Sequence, residues 1–207
     1  MKSPSPTRAS PTTKLILFTK YPVAGSVKTR LEPALGKDGA AALHRKLAKQ
    51  TFDTIAKSAQ ANDAVFQVQT SGAAQLDFEA WLGQEAEYAE QCDGDLTDRL
   101  LHAATDFPLI FFGADTPDLS TDIVSQAIVA LKTHDAVIGP AEDGGYYLIG
   151  ISRPMTSLFT DMEWSTEHVL PTTLERLKKL DIEPYMLETL ADCDRPEDLP
   201  RWPELTQ

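Results

Sequence analysis

Lys28, Thr29 and Arg30 stand in a glycine-containing loop, Lys20-Tyr-Pro-Val-Ala-Gly-Ser-Val-Lys-Thr-Arg-Leu31, directly after an apolar run. Two cations, a hydroxyl and the backbone N–H groups around Gly25 are groups that phosphate oxygens bind. The loop is not a P-loop, because Val27 stands where GxxxxGK[ST] needs its second glycine. The GxGxxG pattern of dinucleotide-binding folds is also missing. A phosphate site outside those two folds is the expectation for Gly25, Lys28, Thr29 and Arg30.

Three further segments carry carboxylates in loop-like surroundings. In FFGADTPDL an apolar run gives way to Asp115 and Asp118 across a turn stiffened by Pro117. Hard Mg²⁺ or Mn²⁺ takes a few carboxylate oxygens plus substrate phosphates, which suits Asp115; Asp118 reads as a turn or cap residue before the next helix. In GPAEDGGYYLIG, Asp143 precedes Gly144 and Gly145, which allow a ligand to approach the backbone closely. Strand alternation then lets only one of Tyr146 and Tyr147 line a pocket. In ADCDRPEDL, Asp192 and Asp194 are two apart and can share an ion if extended, with Asp194 also placed to cap the following acidic turn. Trp164, in EWST, suits either the core or a stack against a substrate ring.

These segments need elements to hold them. Apolar runs predict strands at 14–19, 64–69, 108–112, 135–139, 146–151 and 184–187, with a short one at 86–89. Helical spacing predicts helices at 38–61, 77–82, 95–105, 120–131 and 166–180. Strands alternating with helices imply an α/β fold with a mostly parallel sheet covered on both faces. Ligands then sit beyond the carboxyl ends of the strands, where the loops 20–37, 113–119, 139–145 and 191–198 fall. The expected organisation is a disordered tail over 1–13, one domain over 14–200 and an exposed tail over 201–207.

Composition removes other classes. The net charge of −12 is uneven: residues 1–60 carry +8 and residues 61–207 carry −20. A nucleic-acid partner is not expected, since most of the chain would repel a phosphate backbone. No run approaches the roughly 18 apolar residues of a membrane span, so no membrane partner is expected either. The N-terminus lacks the apolar stretch of a secretory signal. Cys92 and Cys193 form no CxxC pair, and His44, His102, His134 and His168 show no zinc spacing. A cytoplasmic location follows as the expectation.

In this order, KYPVAGSVKTRLEPALG, GADTPDLS, GPAEDGGYYLIG, MEWST and DCDRPEDL resemble the radical-SAM/selenodomain-associated transferase family of the GT-A, nucleotide-diphospho-sugar transferase-like superfamily. The resemblance covers about residues 14–200. It implies a single three-layer α/β/α domain with a Rossmann-like sheet that binds a nucleotide through Mg²⁺ or Mn²⁺. Gly25, Lys28 and Arg30 match the family's phosphate loop, Asp115 its metal-binding Asp, and Asp192 or Asp194 the second acidic ligand. The DCDRPEDL ending resembles the segment that brings that second ligand in molybdopterin- and deazaflavin-cofactor nucleotidyltransferases, with Arg195 where those relatives usually carry Thr. The GGxGxRxxxxxPK loop of classical nucleotidyltransferases is missing.

The leading expectation is metal-dependent glycosyl transfer from a nucleotide-sugar to a small acceptor. Lys28 and Arg30 share the charge of the departing diphosphate, Asp143 contacts the acceptor or acts as base, and Gly144, Gly145, Tyr146 and Trp164 line the substrate pocket. Nucleotidyl transfer from a nucleoside triphosphate is the alternative, and a nucleotide-binding regulator without turnover is the second.

Overall fold

The computed structural model describes residues 12–206. Most of the tail expected over 1–13 lies outside the described residues. Thr13, at its end, is buried, and its carbonyl accepts the Val65 N–H.

Seven strands form one sheet: β1 (Lys14–Lys20), β2 (Val65–Ser71), β3 (Glu87–Glu90), β4 (Leu109–Phe112), β5 (Ala136–Pro140), β6 (Tyr146–Ile151) and β7 (Tyr185–Met186). Their order is β3-β2-β1-β4-β6-β5-β7. Every pairing is parallel except those of β6, which runs against both β4 and β5. That reversal is functional in its effect: the turn joining β5 to β6 falls at the carboxyl end of the parallel strands, beside the loops after β1 and β4.

The helices are α1 (Glu32–Asn62), α2 (Gln75–Leu82), α3 (Leu96–Ala103), α4 (Thr121–Ala130) and α5 (Val169–Lys179). Alternate residues of each strand feed two cores. Leu15, Leu17, Phe66, Val68, Ile110 and Phe112 face Phe52, Ile55 and Phe78 of α1 and α2 and Ile123 of α4. Ile16, Leu109, Phe111, Ile149 and Ile151 face Leu100 of α3 and Leu177 of α5. The expected three-layer α/β/α architecture is therefore present.

Several boundaries differ from expectation. Helix α1 begins at Glu32 rather than 38, because Gly36 (φ 70°) breaks a short first turn from the main run and obscures their continuity in the sequence. Helix α5 starts at Val169 rather than 166, placing Pro171 in its first turn, where a missing N–H costs nothing. The stretch expected as an exposed tail over 201–207 is instead folded through 206. Trp202 and Leu205 are buried with Leu31, Leu43, Leu47 and Cys193 in a third apolar cluster. The Trp202 indole donates to both Asp118 oxygens at 3.1 and 3.2 Å, and Lys46 donates to the Leu205 carbonyl. Among the described residues, no helix is long and apolar enough to cross a membrane.

Candidate functional site

The loop after β1 returns to the sheet at Lys28, whose backbone is left-handed (φ 48°, ψ 39°). The Lys28 side chain is only 3% exposed, and Nζ lies 3.0 Å from Asp115 Oδ2 and 3.2 Å from Asp194 Oδ1. Arg30 Nη1 takes the other Asp194 oxygen at 2.7 Å. Gly25 and Thr29 are exposed on the same loop, with Gly25 at φ 78° beside the Lys37 stem. Three segments far apart in sequence thus meet in one charge network at the carboxyl ends of β1 and β4. The Cys193 N–H donates to the Asp115 carbonyl at 2.9 Å, which fixes the 192–194 segment against the post-β4 loop.

Electrostatics follows from this arrangement. Burial works to lower the Lys28 pKa, but Asp115 and Asp194 outweigh it and hold the ammonium above the ordinary lysine value. Burial works to raise Asp194, but Lys28 and Arg30 hold it below the ordinary carboxylate value. Asp192 is pushed the other way, raised first by burial and then by the like charges of Asp143 and Asp115. Burial raises the Cys193 thiol to about 11, so it remains protonated and unreactive near neutral pH.

Two cavities adjoin this network. The first, of about 190 Å³, is walled by Asp115, Asp143, Asp192, Tyr146 and Trp164 among others. The second, of about 330 Å³, shares Asp143, Asp192, Ser165 and Thr166 with the first and adds Arg30, Arg195 and Arg201. Lys28 contributes to neither wall. Tyr146 and Tyr147 pack into opposite cores, as alternation requires, yet both contribute atoms to the first cavity, contrary to the expectation of one. Asp143 is held by the Gly145 N–H, which donates to its Oδ1 at 2.8 Å. Trp164 combines the two expected roles: its ring packs with the second core and lines the cavity, while Nε1 donates to Thr97 Oγ1 at 2.9 Å.

Two carboxylates act differently from the sequence reading. Asp194 does not cap the following 3-10 helix (Pro196–Arg201), because both its oxygens are taken by cations. Asp198 does so instead, accepting the N–H groups of Asp194 and Arg195 at 3.0 and 2.7 Å. Nor does Asp118 cap α4: Ser120 accepts the Ile123 N–H, and Asp118 receives the Trp202 indole. The three-carboxylate metal set of Asp115, Asp192 and Asp194 does not assemble. Among the described residues, no three His, Cys, Asp or Glu side chains form a ready metal centre. Asp115 and Asp192 line the first cavity together with Asp143, so carboxylate oxygens suited to a divalent ion face one space. Magnesium commonly takes one or two carboxylates and completes its shell with water and phosphate oxygens. Burial, and after it the negative charges of Asp143 and Asp115, disfavour the Asp192 carboxylate, and a cation in this space would relieve that.

The structure adds residues that sequence spacing could not find. Arg201 pairs with Glu142 through two bonds of 2.6 and 2.9 Å, tying the C-terminal segment to the turn that carries Asp143. Arg176 of α5 donates to the carbonyls of Ser157, Leu158, Thr160 and Asp161 and so holds the loop leading to Trp164. An Arg176→Lys variant keeps the charge but loses the planar fork. It is expected to lose roughly 1–2 kcal/mol of stability and to change the fluorescence of Trp164, measured with Trp81 and Trp202 replaced by Phe.

The family described as "Uncharacterized protein conserved in bacteria (DUF2064)" matches residues 51–166. The chain belongs to the DUF2064 family. A similar fold occurs in a crystal structure from Desulfovibrio desulfuricans G20, provisionally named a nucleotide-diphospho-sugar transferase. That protein is 32% identical over 88% of this chain and 82% of its own, with a TM-score of 0.80. Two more distant structures share the fold. The inositol-1-phosphate CTP transferase of T. maritima is 13% identical, covering 95% of this chain and 96% of its own, with a TM-score of 0.56. Glucosyl-3-phosphoglycerate synthase of Mycobacterium tuberculosis, solved with Mn²⁺, UDP and glucosyl-3-phosphoglycerate, is 13% identical over 96% of this chain and 77% of its own, with a TM-score of 0.57. No curated protein matches the chain.

Proposed function

We propose that this DUF2064 protein is a divalent-metal-dependent transferase of the radical-SAM/selenodomain-associated type, moving a glycosyl group from a nucleotide-sugar to a small acceptor. The observation that carries this reading is the buried Lys28 between Asp115 and Asp194, set beside two joined cavities at the carboxyl ends of the parallel strands. Mg²⁺ or Mn²⁺ on Asp115 and Asp192 would supply charge neutralisation for the leaving diphosphate. Lys28 and Arg30 share that charge, with backbone N–H groups near Gly25 and the Thr29 hydroxyl available to the phosphates. The acceptor occupies the cavity between Asp143 and Trp164, with Gly145 on its wall; Gly144, expected there too, lines neither cavity and packs instead against the Glu167 backbone. The acceptor's hydroxyl proton passes to Asp143, whose orientation is set by the Gly145 N–H. The free thiols Cys92 and Cys193 suit a reducing compartment, and we assign the protein to the cytoplasm.

One feature favours nucleotidyl transfer as a second reading. Arg195 lines the polar cavity beside Arg30 and Arg201, which would exchange Asp194 and Glu142 for the phosphate of an acceptor attacking the α-phosphate of a nucleoside triphosphate.

A thermal-shift screen of nucleotides and nucleotide-sugars, with and without Mg²⁺ or Mn²⁺, tests the proposal. A ligand at about 100 times its Kd is expected to raise Tm by roughly 5–10 °C, and only with metal. Released UDP or GDP then identifies glycosyl transfer, and released pyrophosphate the second reading. Binding without either product would leave a regulator, and no shift with any ligand would overturn all three.

A further inference from the structure

We infer that the acceptor of this site is an amine-bearing alcohol, whose ammonium group is held in the first cavity beside the hydroxyl that receives the transferred group. This rests on the transferase reading and names the class of acceptor that its site takes.

The two cavities share a wall but differ in charge. The first carries the carboxylates of Asp115, Asp143 and Asp192, and among the described residues no Lys, Arg or His side chain lines it. Arg30, Arg195 and Arg201 all lie on the second. An anionic acceptor entering the first cavity would face three carboxylates with no cation beside them on the wall.

The carboxylates are compensated unequally. Lys28 pairs with Asp115 and Asp194, and Arg30 takes the other Asp194 oxygen, so those two acids and two cations balance. Asp143 and Asp192 form no ion pair among the described residues. Oδ1 of Asp143 accepts the Gly145 N–H, which leaves Oδ2 for the acceptor. Loading the donor does not remove this excess, because a divalent ion and the diphosphate of a nucleotide-sugar carry equal and opposite charge. A cationic acceptor does reduce it, and a cleft with low-dielectric walls strengthens the attraction.

The rest of the wall favours the same ligand. Tyr146, Tyr147 and Trp164 line the first cavity. The Tyr147 hydroxyl donates to the Glu188 carbonyl at 3.1 Å, and the Trp164 indole donates to Thr97 Oγ1 at 2.9 Å. Both polar tips are thus spent on the protein, and the rings are what a ligand meets. Aromatic faces attract ammonium groups. A volume of about 190 Å³ suits an acceptor the size of one sugar ring.

The test compares glucosamine, glucose and glucuronate, which share a ring and differ in charge, by ligand-observed NMR titration of the full chain. Slightly acidic, low-salt buffer keeps the amine protonated and the attraction unscreened. The native protein is expected to bind glucosamine about tenfold more tightly than glucose, with glucuronate weakest. Asp143→Asn retains the oxygen that accepts the Gly145 N–H and is expected to lose most of that preference. Asp122→Asn removes an exposed acid at the start of α4 and is expected to keep the preference, which separates the Asp143 carboxylate from net charge. Glucose bound by the native protein as tightly as glucosamine would overturn the inference, and that measurement needs no variant. So would an Asp143→Asn protein, folded by circular dichroism, that keeps the whole preference, or an Asp122→Asn protein that loses it equally. Any of these results beside nucleotide binding in the thermal-shift screen would sink this inference alone. The expected preference in a protein that binds no nucleotide would sink the transferase reading instead.

Discussion

An Asp115→Asn variant is expected to lose transfer by about 10³-fold while remaining folded. The substitution removes one negative charge without changing shape, so a metal at this position loses a carboxylate ligand and the leaving diphosphate loses its neutralisation. Folding should survive for two reasons. The Asp115 carbonyl that accepts the Cys193 N–H belongs to the backbone, and Lys28 keeps Asp194 as a partner. The check is turnover with whichever donor the thermal-shift screen identifies, measured with Mn²⁺ varied, beside a denaturation curve. Turnover that stays fast and metal-dependent would remove Asp115 from the reaction.

Gly144→Val should be the most destabilising single change at the site. Gly144 has φ 90°, and a Cβ there would lie 2.5 Å from the Glu167 carbonyl oxygen and 2.7 Å from its Cα. Those are backbone atoms, held in place because the Leu170 N–H donates to the Gly144 carbonyl at 2.9 Å. Overpacking and left-handed strain together are expected to cost roughly 2–4 kcal/mol. That corresponds to a Tm lowered by about 5–15 °C in a chain of this size. The start of α5 would move away from the β5–β6 turn, and Asp143 with it. Gly145→Ala is the useful comparison, since its Cβ meets only the Asp143 carboxylate, at 3.1 Å. Equal losses from the two variants would show that the close approach to Glu167 is unimportant.

Residue periodicity made most elements legible, and the reasons for the exceptions are physical. Buried runs such as Leu109–Phe112 declare themselves because both faces are covered. The reversal of β6 left no local mark, since parallel and antiparallel neighbours in a buried sheet demand the same side chains. The C-terminal segment looked like a tail because Pro and acidic residues dominate it. Its fate depended on Trp202 and Leu205, two apolar residues whose partners lie on α1. At the site, loop position was enough to single out Lys28, Arg30, Asp115, Asp143, Asp192 and Asp194. The pairing among them was hidden, because Lys28 and Asp194 are 166 residues apart and no spacing rule spans that distance. Arg176 and Arg201 were missed for a related reason. Surface arginines are common, and only the fold reveals which of them face carbonyls or a loop carboxylate.

The main-chain bond from Cys193 to Asp115 has a consequence for how the protein can be inactivated. Residues 192–206 reach the site only after β7 has closed the far edge of the sheet, and they leave one carboxylate between Lys28 and Arg30. A single protease cut beyond β7 could therefore release Asp192, Asp194 and the Arg201 tether together while the seven strands stay paired. Such a nicked protein would keep its secondary structure and most of its core, with the buried Lys28 left on Asp115 alone. Far-ultraviolet circular dichroism would report a native protein, while the cavities beside Asp115 would have lost the carboxylates of Asp192 and Asp194.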